Sequence, residues 1–336
     1  MFWINELRFL AAVAVIILHV SASYIPSLGG NDYSLFIINL YESSVRWSVP
    51  IFVIITGFLL NDDKPVNLSI FYQKRVKRIL LPLLFWSIFY LIWIFAKTII
   101  LNREHNLTDI FISILEGKPY YHLWYLYMII GIYFFAPLMN LVVNKLDEKN
   151  VFPFVLVMFV MSFFSVLQDL FIEKEKTIFI FMFLKFIPFY MFGALYKNNT
   201  DIRFKWITSR LTIPICFLGI FMSFLILNKL WGIDVAFIAY SYNNPLVVIM
   251  SLSLFTMFKL RSKPRLSGKI FDLGNSKALG IYLIHPVFLD LFNYLGAFDT
   301  SFLLALAIPL FSLLAFGFSL FFCFLLSKLV WFNKLV

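Results

Sequence analysis

Apolar residues dominate this chain in long unbroken runs, not in alternating or narrow amphipathic stripes. Runs of about 16–25 residues recur from end to end, the length that crosses a hydrocarbon core roughly 30 Å thick. The pattern predicts ten membrane-spanning helices, over about 6–25, 44–60, 79–101, 122–143, 151–168, 178–196, 211–229, 244–259, 278–296 and 302–327. The expected fold is all-α: a polytopic integral membrane protein with about ten transmembrane helices in one bundle and a single domain over 1–336. The longest outer connections, 26–43 and 102–121, are short, so a site on that face would be built mainly from helix ends. Ser21-Ala22-Ser23 resembles a signal-peptide cleavage site, but the thin basic start and the further spans favour a retained first helix.

Composition agrees with the pattern. The chain is 62% apolar and 14% charged, with mean hydropathy +0.89, far from a soluble average and leaving no stretch for a separate soluble domain. Cys216 and Cys323 lie inside apolar runs without metal-ligand spacing, so packing is their expected role and no metal is expected.

The net charge of +10 is placed unevenly. One alternate set of connections holds Lys64, Lys74, Arg75, Lys77, Arg78, Lys145, Lys149, Lys197, Arg203, Lys205, Arg210, Arg261, Lys263, Arg265, Lys269 and Lys277. The other set holds Arg103, Lys118, Lys174, Lys176 and Lys229. This bias fits the positive-inside rule better than nucleic-acid binding, and it predicts both termini in the cytoplasm.

Against this apolar background a few polar residues stand out. Arg8 and His19 lie eleven positions apart in the first run, which in a helix places them on one stripe roughly 16 Å apart. Ionisable groups inside a membrane are costly and mark functional sites by default. An imidazole there can accept a proton from a hydroxyl. A packing hydrogen bond for His19 and a snorkelling anchor for Arg8 are the plain alternatives.

Arg75 and Arg78, spaced i, i+3 at the start of the third span, would share a helical face. Two guanidinium forks suit phosphate groups; a topology-setting cluster that meets anionic lipid is the alternative. Arg46 begins the segment Arg46-Trp-Ser-Val-Pro-Ile-Phe-Val-Ile-Ile-Thr-Gly-Phe58, where Pro50 is expected to bend the helix and Thr56-Gly57 to allow close packing. His122-Leu-Trp124-Tyr-Leu-Tyr127 reads first as an interfacial aromatic belt and second as a surface for a sugar ring. In Gly280-Ile-Tyr282-Leu-Ile-His285-Pro286, a polar residue beside a helix break suggests a lined cavity, with a structural hydrogen bond for His285 equally open. There is no GxSxG, Walker loop, GxGxxG or HExxH, so a nucleotide held by such a loop is not expected.

Taken in order, these segments resemble the acyltransferase 3 family of integral-membrane O-acyltransferases over nearly the whole chain. Arg8-x10-His19 matches the Arg-x10-His motif of the first span, and Arg75-x-x-Arg78 with Pro82 resembles the Arg-x-x-Arg motif. Arg46 to Phe58 resembles R-x3-P-x-F-F-x-x-S-G-[FY], and Tyr121-His-Leu-Trp124 and Gly280 to Pro286 match later family segments. Val53 and Thr56 depart from it, standing where phenylalanine and serine are usual. In length the chain looks closest to stand-alone members that acetylate enterobacterial common antigen or O-antigen. The resemblance implies a multi-pass protein of the bacterial inner membrane, with acetyl-CoA as cytoplasmic acyl donor and a hydroxyl of a surface polysaccharide or its lipid-linked precursor as acceptor. It implies catalytic roles for His19 and Arg8 and donor binding by Arg75 and Arg78. Arg46, Trp124, Tyr282 and His285 are expected on the substrate side. A glycolipid transporter or flippase without acyl-transfer chemistry is the alternative function, with a glycan polymerase or assembly scaffold behind it.

Overall fold

The computed structural model describes residues 1–27, 32–61, 67–101, 112–146, 148–171, 179–198, 209–298, 303–329 and 335. Among them every regular element is helical. In chain order these are α1 (Phe2–Ser23), α2 (Asp32–Val45), α3 (Ser48–Leu60), α4 (Leu68–Arg75), a π turn (Val76–Leu80), α5 (Leu81–Leu101), α6 (Trp124–Lys145) and α7 (Glu148–Phe171). There follow a 3-10 segment (Phe179–Phe186), α8 (Ile187–Asn198), α9 (Thr212–Trp231), a short helical turn (Ile233–Ala236) that runs into a 3-10 turn (Phe237–Tyr240), α10 (Pro245–Lys259), α11 (Lys269–Ser276), α12 (Ala278–Tyr294) and α13 (Leu304–Ser327).

The protein is an all-α polytopic membrane protein. Seven helical stretches among the described residues are long and apolar enough to cross a membrane, and Pro153–Phe164 and Ala278–Tyr294 are shorter apolar helices. The remaining predicted span, 178–196, is the 3-10 segment running into α8. Exposed side chains confirm what solvates the outside. On α5, Ile88, Ile92, Phe95 and Ile99 form one exposed stripe at helical spacing, and Leu306, Leu310, Leu313 and Phe321 do so on α13. Water would not tolerate such faces, whereas lipid tails do. Of the basic residues used to read orientation, Lys64, Arg103, Lys174, Lys176, Arg203 and Lys205 lie outside the described residues.

Two local expectations need correction. Most of the predicted outer connection 26–43 is helix, because α2 begins at Asp32; Asn39, Glu42 and Ser43 on it are buried. These polar residues broke the apolar run in the sequence, yet they pair inside the protein. The second correction concerns Arg75 and Arg78, which straddle the entry to the π turn. A π turn advances each residue through a smaller angle than an α-turn, so the i, i+3 pair drifts apart around the axis. Arg75 is half-buried while Arg78 is exposed.

The chain divides into two compact units, Met1–Ile55 with Thr200–Leu326, and Thr56–Asn199 with Ser327–Val336. In the first, α1 packs against α2, α10, α11 and α12. Near its N-terminal end, buried Glu6 accepts hydrogen bonds from the backbone N–H of Leu266 at 2.8 Å and from Arg261 at 3.1 Å, clamping the segment after α10. Phe9 lies over Gly274 of α11, where an added Cβ would come within 2.7 Å of the ring. At the other end the Tyr24 hydroxyl donates to the carbonyl of Ala297. A second part of this unit's core joins Cys216, Ile220 and Phe224 of α9 to Tyr240, Val247 and Met250. Cys216 and Cys323 are both buried, in keeping with packing roles.

In the second unit, Gly57 lets α3 approach the backbone of α8, since a Cβ there would collide with the Tyr190 carbonyl oxygen. Polar side chains fasten the same contact. Asn61 donates to the carbonyl of Ala194, Asn140 to that of Leu60, and the Tyr190 hydroxyl to Asn140, each at 2.8 Å. Lys197 donates to the carbonyl of Asn61. In lipid such partners must come from the protein itself.

Candidate active site

α1 runs unbroken from Phe2 to Ser23, so Arg8 and His19 do share one stripe of it. Packing of α1 on α12 brings His19 to His285: the two imidazoles stack with centroids 5.2 Å apart and planes 30° from parallel. Pro286 explains how His285 is held. A proline inside a helix cannot donate to the carbonyl four residues earlier, here that of Tyr282. His285 Nδ1 lies 2.7 Å from that same oxygen and takes the place of the missing donor. With its proton on Nδ1, the ring carries its lone pair on Nε2. The Tyr282 ring lies 5.9 Å from His285, centroid to centroid.

Arg46 joins this group from a break in the chain. Residues 46 and 47 form a turn between α2 and α3. Pro50 is the cause: it offers no N–H to the carbonyl of Arg46 and its ring crowds that carbonyl, while it fits the first turn of the helix that follows. The bend expected at Pro50 therefore falls four residues earlier. The Arg46 side chain is 14% exposed, and its guanidinium forms an ion pair with Glu42, one turn back on α2. It also lies 4.3 Å from the centroid of the Tyr240 ring and bonds the Tyr242 hydroxyl. It is close enough to His19 to interact electrostatically. Its Nε has no hydrogen-bond partner among the described residues.

A buried polar network surrounds this pair. Glu42 accepts from the Ser21 hydroxyl at 2.7 Å, two residues past His19 on α1. The Tyr240 hydroxyl donates to Asn39 Oδ1 at 2.7 Å, and Asn39 Nδ2 donates to the Phe221 carbonyl at 3.0 Å. Of the expected residues, the first unit thus gathers His19, His285, Tyr282 and Arg46, with Arg8 further along α1. Ser21, Glu42, Tyr240 and Tyr242 were not foreseen. Glu42 left one faint signal, an acid four residues before Arg46, in the i, i+4 register of an ion pair.

The other expected residues belong to the second unit. Arg75 lies against aromatic rings, 4.6 Å from the centroid of Phe71 and 5.7 Å from that of Tyr133. Half-buried Trp124 leans on Phe186 at 5.7 Å. His122 is fully buried, with Tyr90 edge-on at 4.9 Å, and Tyr90 stacks on Tyr120 at 4.3 Å. Lys97 donates to the Tyr120 hydroxyl at 2.8 Å. Of the segment read as an aromatic belt, His122 is buried and Trp124, Tyr125 and Tyr127 are half-buried, while the neighbouring Tyr121 is exposed.

No three His, Cys, Asp or Glu side chains come together as a metal site among the described residues. Neither curated proteins nor solved structures match the chain. A family model, described as an acyltransferase domain, does match, and it covers residues 1–328 of 336. The chain belongs to the acyltransferase 3 family, and it is a membrane acyltransferase.

Proposed function

We propose that this acyltransferase moves an acetyl group from cytoplasmic acetyl-CoA to a hydroxyl of a bacterial surface polysaccharide, or of its lipid-linked precursor, at the inner membrane. The observation that carries the reading is the stacked His19–His285 pair, with His19 on the helix that also bears Arg8, a helix tied through Ser21 and Glu42 to Arg46. His19 is the general base. It takes the proton of the acceptor hydroxyl as that oxygen bonds to the acetyl carbonyl carbon. The carbon–sulfur bond then breaks, the ester remains on the sugar, and the thiolate leaves with the proton as free coenzyme. His285, held by Tyr282, orients the reacting groups. On the first unit, Arg8 fixes the donor side of α1. On the second, Arg75 and Arg78 suit phosphate groups and the Trp124 ring suits the face of a sugar.

The test is transfer of label from radiolabelled acetyl-CoA in membranes that hold the native acceptor. Wild-type protein should label the glycan or glycolipid fraction, and His19→Ala should lower the initial rate by about 100-fold or more. Membranes in which wild-type protein transfers no label, while a fluorescent glycolipid crosses the bilayer, would support transport in place of acetylation.

A further inference from the structure

Glu42 is a carboxylate with no solvent exposure in a membrane-spanning stretch. Such a charge is sustained only by close partners, and both of its oxygens have one. Oε1 accepts from Ser21 on α1, and Oε2 pairs with Arg46. Ser21 follows His19 by two residues, so Glu42 ties the guanidinium to the helix that carries the base. Tyr240 supports the guanidinium from a third element. Glu42, Tyr240 and Tyr242 leave part of the guanidinium's donor fork unused, Nε included. An arginine held this firmly, with donors to spare beside His19, suits an oxygen on which negative charge develops.

We propose that Glu42 is a positioning residue. It holds Arg46 where the guanidinium receives the charge that builds on the acetyl carbonyl oxygen. As the acceptor oxygen bonds to the carbonyl carbon, the carbonyl electron pair moves onto that oxygen and is met by Arg46. When the pair returns, the carbon–sulfur bond breaks and the thiolate departs. Ser21 sets the Glu42 carboxylate, Glu42 sets Arg46, and of these three only Arg46 meets the reacting atoms. This role rests on the acetyl-transfer reading above.

The test uses full-length protein in lipid nanodiscs, with acetyl-CoA as donor and acceptor lipid extracted from the host. Glu42→Gln keeps the shape of the side chain and removes its charge. It should lower kcat about 10- to 100-fold, the cost of a group slightly out of place. The KM for acetyl-CoA should stay within about twofold, since ground-state binding is untouched. In a double-mutant cycle, adding Glu42→Gln to Arg46→Gln should cost nothing further, because the first acts only through the second. A purely structural Glu42 would instead lower the folded yield and leave kcat per folded molecule unchanged.

Isotope-labelled arginine gives a readout independent of turnover. Arg46 is one of nine arginines, and its Nε–H signal is assigned by its loss in Arg46→Lys. That signal should shift or broaden in Glu42→Gln. If Glu42→Gln does not fold, Ser21→Ala should move the same signal and lower kcat about threefold to tenfold, on the scale of one modest hydrogen bond. An unmoved Arg46 signal, unchanged kcat, or fully multiplicative losses in the cycle would overturn the proposal. Wild-type protein that transfers no acetyl group sinks the acetyl-transfer reading and with it the chemical role; the Arg46 signal then decides alone whether Glu42 positions the guanidinium.

Discussion

Tyr240 supports Arg46 in two ways that substitution can separate. Its ring lies under the guanidinium, while its hydroxyl donates to Asn39. Tyr240→Phe keeps the ring and leaves the buried Asn39 oxygen short of one donor. It should reduce thermal stability by about 1–3 kcal/mol, yet hold kcat near the wild-type value. Tyr240→Leu loses the ring face as well, a contact worth about 0.5–2 kcal/mol to a desolvated cation, and should lower kcat too. Melting curves and transfer rates on the two variants check the pair; equal kcat in both would remove the ring from the account. The same residues show what could be read in advance. Arg8, His19 and His285 were visible because ionisable groups stand out in apolar runs. Tyr240 was not, because a tyrosine in such a run looks like any other aromatic, and its partner Arg46 is almost two hundred residues away.

At the scale of elements, two prolines shape the candidate site by removing donors. Pro50 parts α2 from α3 and leaves Arg46 in the turn between them; Pro286 frees the Tyr282 carbonyl that orients His285. The bend from Pro50 was expected from sequence, although it falls at Arg46, because the clash acts on the carbonyl four residues earlier; the break expected at Pro286 does not occur, since α12 runs through it from Ala278 to Tyr294 with His285 Nδ1 in place of the lost donor. The π turn after Arg75 was not legible, since a periodicity argument assumes 3.6 residues per turn throughout. Nor was α2, whose polar residues resemble a loop until their partners are known. Glycines give a test of helix packing. Gly57→Ala forces a Cβ into the Tyr190 backbone and should destabilise the protein by about 1–3 kcal/mol. Gly317 on α13 has nothing within 4 Å of where its Cβ would lie, so Gly317→Ala should stabilise by about 0.5–1 kcal/mol through helix propensity alone. Thermal melting in detergent, followed by size-exclusion chromatography, distinguishes the two. A Gly57→Ala protein as stable as wild type would mean that α3 and α8 do not approach as described.

For the whole molecule, a simple outside and a demanding inside coexist. The apolar stripes of α5 and α13 ask only for lipid, and that is why the class of the protein was plain from hydropathy. The interior of the first unit instead holds a histidine pair, an arginine, a glutamate and two tyrosine hydroxyls, joined by contacts that include partners distant in sequence. Membership of a membrane acyltransferase family gives the protein its class of reaction, and we propose that acetyl transfer takes place in that interior, through His19. The most direct test is the O-acetyl content of the bacterial surface glycan, measured by NMR. Three strains are compared: wild type, a deletion, and the deletion complemented with His19→Ala at equal expression. The account predicts that the O-acetyl signal disappears in the deletion and stays absent with His19→Ala. An O-acetyl signal unchanged in the deletion would contradict it.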